Sequence, residues 1–144
     1  MPHVEREYPY GKLSSYPHLG PADAAIWERY IAANPSRFTR VWYDFRVGDE
    51  PAVADDTHPS IKAGWFDLTY WRIDVVAEDA SAIYVIEIKP NANSKALGQA
   101  DSYAMLYEED EKPSKPVIAV VLTDTIISTT ARIAAKKGIE LWEA

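Results

Sequence analysis

The 144-residue chain has no cysteine, which excludes disulfides and thiolate metal sites and makes a reducing compartment the expected setting. Histidine is scarce too: His3, His18 and His58 stand in irregular segments without ligand spacing, and none is read as a metal ligand. There is no long hydrophobic run. The longest aliphatic stretch, VIAVVL at 117–122, is far too short to span a bilayer, and the opening MPHVEREYPY has no apolar signal-peptide core. A soluble protein without a membrane partner is expected, in the cytoplasm or, for a phage-encoded chain, inside the host cell or virion. Positive charge is in deficit: 15 Lys and Arg face 22 Asp and Glu, for a net charge of −7. The isoelectric point near 4.9 has the wrong sign for holding nucleic acid by bulk electrostatics. A bound divalent cation or a local basic strip can invert the field where it matters. No repeat and no low-complexity segment interrupts the sequence.

What is present is ordinary globular composition, 47% hydrophobic and 26% charged, in a length suited to one domain with a core of its own. Residues 1–20, rich in Pro, Tyr and Gly, have no period and read as an N-terminal arm. Pro21 opens a helix carrying Trp27, Tyr30 and Ile31 at helical spacing, and Asn34-Pro35 closes it. RFTRVWYDFRVG at 37–48 alternates as a strand. The acidic stretch 49–60 reads as a loop, and 64–79 as a long or bent strand that turns at Ala80-Ser81 into AIYVIEIKP at 82–90. Asn93 or Ser94 caps an amphipathic helix striped by Ala96, Leu97, Ala100, Tyr103, Ala104 and Tyr107. An apolar strand follows, then a helix with lysines in its last turn and Gly138 at its end, then the edge strand IELWEA. The early short turns imply an antiparallel meander and the late βαβ units imply parallel pairing. The fold class is therefore α/β, a mixed β-sheet flanked by helices.

Three charges stand inside the strand pair: Asp74 in the first strand, Glu87 and Lys89 in the second. Residues i and i+2 of a strand share a face about 6.6 Å apart, and neighbouring strands lie about 4.8 Å apart. Glu87 and Lys89 therefore project together, and pairing around the turn brings Asp74 beside Glu87. Two carboxylates and the Ile88 carbonyl form a hard-oxygen set suited to Mg²⁺, and Lys89 adds a positive charge that can assist an attacking water or charge developing on phosphorus. A salt-bridge cluster on a solvated face would use the same residues. Two acids against one lysine, however, leave a negative excess that a cation would relieve.

Asp74 followed by Glu87-Ile88-Lys89 resembles the PD-(D/E)XK nuclease superfamily, with Ile73 standing where the family's proline would be. On the next helix, Gln99-x-x-x-Tyr103 is similar to the QxxxY motif of the RecB-like branch, and the element order resembles that family's restriction-endonuclease-like αβββαβ core followed by a further helix and edge strand. The resemblance spans residues 21–144. It implies a nuclease-like domain that hydrolyses DNA phosphodiester bonds with Mg²⁺ or Mn²⁺. Asp74, Glu87 and the Ile88 carbonyl would be metal ligands, Asp74, Glu87, Lys89 and Gln99 the catalytic set, Gln99 and Tyr103 the strand-positioning pair, and Glu28 a possible extra acid. Tyr103 also lies in the apolar stripe, where a core role would suffice. GWFDLTYWR, 64–72, suits core or interface packing, or stacking on unpaired bases. Two other functions stay open. One is a catalytically silent structural or docking module, in a phage particle or a DNA-processing assembly; the other is an RNA-directed or toxin-like nuclease. The acidic balance makes a protein partner or homo-oligomer an expected source of DNA affinity.

Overall fold

IYVIEI and VIAVVLT are apolar on both alternating faces, which only a strand covered on both sides can bury. They form the middle of the sheet in the computed structural model, which describes residues 5–49, 58–59 and 71–144. The described elements run β1 (Glu7–Tyr8), α1 (Pro21–Ala33), β2 (Arg40–Val47), β3 (Trp71–Glu78), β4 (Ile83–Ile88), α2 (Ser94–Glu111), β5 (Val117–Thr123), α3 (Ser128–Lys137) and β6 (Glu140–Glu143). They form one six-stranded sheet in sequence order, β1 through β6. β1 to β4 pair antiparallel, while β4–β5 and β5–β6 pair parallel across the helical crossovers. This is the mixed sheet and the αβββαβ order expected above, extended by α3 and β6. The acidic residues 50–57 and the first residues of GWFDLTYWR, 64–70, lie outside the described residues.

Each face of the sheet has its own core. On one side α1 contributes Ile26, Trp27, Tyr30 and Ile31, joined by Tyr16 and, partly buried, Tyr8, Tyr10 and Leu13 from the lead-in. The lead-in that reads as an arm thus supplies strand β1 and several aromatic contacts, because its tyrosines find Trp27, Phe38 and Tyr43. On the other side α2 lays Ala96, Ala100 and Ala104 against the strands, small residues one turn apart that let the helix approach closely, and α3 adds Ala134. Asn93 caps α2 by accepting the Lys95 amide at 3.0 Å, and Gly138 ends α3 in the left-handed region at φ 69°.

The β3–β4 turn fixes the register on which the site depends. Asp79 accepts the Ser81 and Ala82 amides at 2.8 and 2.9 Å and the Tyr84 hydroxyl at 3.0 Å, and it pairs with Arg37. These bonds hold its carboxyl well below the usual carboxylate range. Asp79→Ala leaves two turn amides without acceptors, and we expect it to lower the unfolding free energy by about 1–3 kcal/mol. Urea denaturation checks this; a change below about 0.5 kcal/mol would mean the turn holds its shape without the carboxylate.

Candidate active site

β3 and β4 do not run together to their ends. Their ladder stops at Val75–Ile86, after which β3 stays with β2 as far as Trp71 and β4 stays with β5 as far as Ile88. The sheet forks there, and the next residues in the β3–β4 register are Asp74 and Glu87. At the fork the Ile88 amide has lost a main-chain acceptor on β3, and it donates instead to Asp74 Oδ2 at 2.9 Å. The Asp74 side chain thus satisfies the first unpaired amide of the opening.

The two carboxyl groups lie close enough for each to shift the other's ionisation. Burial pushes Glu87 up to about 9, and the neighbouring Asp74 adds to the shift. Burial pushes Asp74 up to about 6, against the lowering effect of the Ile88 amide. Two neighbouring acids in a low-dielectric site oppose each other's ionisation, so near neutral pH the favoured form keeps about one proton between them. Glu87 Oε2 is buried and has no hydrogen-bond partner among the described residues.

Three further groups, Lys89, Tyr103 and Asp23, lie in electrostatic range of the pair. Lys89 is exposed, continues the β4 ladder through its amide to the Leu122 carbonyl at 3.0 Å, and lies in electrostatic range of Glu87. Tyr103 is half-buried on α2, where burial and then the fields of Glu87 and Asp74 raise its hydroxyl; its ring meets Trp71 edge-on at 5.9 Å. Gln99 stands on the same helix one turn earlier, also half-buried. Asp23, in the first turn of α1, is raised by burial, lowered by Lys89, and acts on both Asp74 and Glu87.

Glu28, the other candidate acid on α1, accepts the Tyr16 hydroxyl at 3.2 Å. Sequence spacing along α1 does not distinguish Asp23 from Glu28, because the helix's position against β4 decides which acid meets the fork. His18 is a second group the sequence leaves unplaced. Its Nδ1 is 3.4 Å from Arg72 Nη1, and it lies in electrostatic range of Asp74.

Among the described residues no three His, Cys, Asp or Glu side chains gather into a metal cluster. Mg²⁺ needs no such cage: it is held by one or two carboxylates and keeps several waters. The buried pair, with Glu87 Oε2 unpartnered among the described residues, fits that mode.

No protein-family model and no curated protein matches the sequence. Among solved structures, the chain is similar to EndoMS in the EndoMS-dsDNA2 complex, with a TM-score of 0.50 and 20% identity over 92% of this chain and 49% of that one. EndoMS in its apo form aligns at a TM-score of 0.48, with 20% identity over 83% of this chain and 45% of that one. The chain thus spans about half the length of the EndoMS chains, and the likeness is one of fold.

Proposed function

We propose that the protein is a metal-dependent nuclease that hydrolyses DNA phosphodiester bonds, with Asp74, Glu87 and the Ile88 carbonyl holding Mg²⁺ or Mn²⁺. The observation that carries this reading is the meeting of Asp74 and Glu87 at the sheet fork, where Asp74 accepts the Ile88 amide and Glu87 Oε2 is buried without a partner among the described residues. Such an arrangement is costly for packing and useful for a cation. When bound, the cation supplies Lewis-acid polarisation of a phosphoryl oxygen and a lowered pKa for the attacking water.

The chain's own residues do the rest. Asp74 and Glu87 give up their shared proton and present two carboxylates whose spacing is fixed by adjacent strands. The Ile88 amide keeps Asp74 aimed along the opening. Lys89 places a positive charge at the exposed mouth, where negative charge grows on the phosphoryl oxygens as the water oxygen bonds to phosphorus and the ester oxygen leaves. Gln99 and Tyr103, on one face of α2, position the strand, as in the RecB-like pattern. Asp23, an acid on α1 whose field acts on both carboxyls, joins Glu28 as a candidate extra acid. The fold's likeness to EndoMS, solved with dsDNA, supports DNA as the polymer. With a net charge of −7, the chain draws its DNA affinity from the cation and from a protein partner or second copy.

The test is incubation of linear, circular and branched DNA with the protein in Mg²⁺, in Mn²⁺ and in EDTA. Cleavage in either cation that stops in EDTA is expected; no cleavage of any of the three DNAs would favour the docking module.

A further inference from the structure

Tyr43 and Phe45 are two residues apart on β2 and should face the same side of the sheet. They do not. Tyr43 accepts the Trp27 indole N–H at 2.8 Å on the α1 side, whereas Phe45 packs on Tyr107 at 5.3 Å on the α2 side. β3 makes the same change, with Val75 in the α1-side core and Ile73 in the α2-side core. The residues at the crossover are Asp44 and Asp74. The β2–β3 ladder pairs Tyr43 with Val75 and Phe45 with Ile73 and skips the pair between them. Asp44 has φ 53°, the left-handed region, and is the only residue at positive φ inside any of the described strands. One of its oxygens, Oδ2, lies 3.4 Å from Arg72 Nη1, and the other is buried with no hydrogen-bond partner among the described residues.

We infer that Asp44 is a positioning residue for the fork. Its left-handed backbone turns the β2–β3 ribbon by half an alternation, so that Asp74 faces neither core and lies in the plane of the sheet, aimed at β4. That direction is recorded in the Asp74 contact, since the group it accepts is a main-chain amide on the strand edge. A regular strand would send the residue 74 side chain into one of the two apolar faces. Aspartate suits the position because, after glycine, Asp and Asn enter the left-handed region most readily, whereas a β-branched residue does not. Its bond to Arg72 ties the turned segment to β3 two residues before Asp74.

The test reads the Ile88 amide by hydrogen exchange, with the Lys89 amide as an internal control, since that bond runs to β5 on the strand's other edge. Asp44→Asn and Asp44→Gly keep a residue that accepts positive φ, and Ile88 protection should stay within about threefold of wild type. Asp44→Val should lower Ile88 protection at least tenfold while Lys89 is unchanged. Should both amides of that variant exchange together because it does not fold, Asp44→Ala is read instead, with a loss of threefold or more at Ile88 alone. Ile88 protection that survives the β-branched or alanine change overturns the inference. So does an equal loss in the Asn and Gly variants. A second readout, Mn²⁺ affinity by calorimetry, rests on the pair being a cation site and should fall about tenfold only in the Val or Ala variant. A wild type that binds no Mn²⁺ overturns the proposed function, and the Ile88 amide still decides the role of Asp44.

Discussion

Lys89→Ala should slow DNA cleavage about a hundredfold or more, a loss of about 2.7 kcal/mol of transition-state stabilisation, while leaving the fold intact. The ammonium sits exposed beyond the end of β4, so its removal opens no cavity, and the ladder bond at this position belongs to the backbone. Its charge, however, lies in range of both Glu87 and Asp23, at the mouth of the site. Removing it should leave Mn²⁺ affinity equal or slightly higher, since a cation has left the neighbourhood. Initial rates on a linear duplex, with thermal melting of both proteins, check the two halves together. Undiminished cleavage by Lys89→Ala would remove Lys89 from the chemistry even with the rest of the site intact.

The second large effect is on stability, and its sign follows from the shared proton. Glu87 is raised from 4.5 to about 9 and Asp74 from 3.8 to about 6, so between about pH 4 and pH 9 the folded chain holds protons that the unfolded chain has lost. Stability of the metal-free protein should therefore be undiminished by the pair below about pH 4 and fall as pH rises, by up to about 1.4 kcal/mol per pH unit for each retained proton. Glu87→Gln keeps a donor toward Asp74 and removes the larger titration. We expect it to be more stable than wild type at pH 8–9, by about 2 kcal/mol or more, with the gap closing toward pH 5. Urea denaturation of both proteins across that range, in EDTA, is the measurement. Parallel curves would mean that Glu87 ionises freely in the fold. The same variant should cleave DNA at least a hundredfold more slowly, which would separate a stabilising change from a functional one.

The sheet was legible because its signals are local and repeated. Uninterrupted runs such as VIAVVL demand cover on both faces, Pro21 and Gly138 mark helix ends, and the Ala80-Ser81 turn sets the register that places Asp74 opposite Glu87. Asp74, Glu87, Lys89 and the Gln99–Tyr103 pair could be named because strand and helix periods are enough to put them on known faces. The field of Asp23 on the pair was not legible, since it depends on how α1 lies across β4. Asp44 was hidden for another reason. It sits in the alternating string RVWYDFRV, and nothing in that string records that Tyr43 and Phe45 end in different cores. Strand β1 was missed because a two-residue edge strand in a Pro- and Tyr-rich lead-in has no period to read; only its pairing with Trp42 and Val41 defines it.

We propose that Asp74 and Glu87 form a cation site that a retained proton keeps closed. The direct measurement is calorimetric titration of the protein with Mn²⁺ at pH 7 in two buffers of different ionisation enthalpy, which counts protons released per ion bound. Binding with about one proton released is expected, with both the binding and the release greatly reduced in Glu87→Gln. Absence of Mn²⁺ binding, or binding without proton release that Glu87→Gln leaves unchanged, would contradict it.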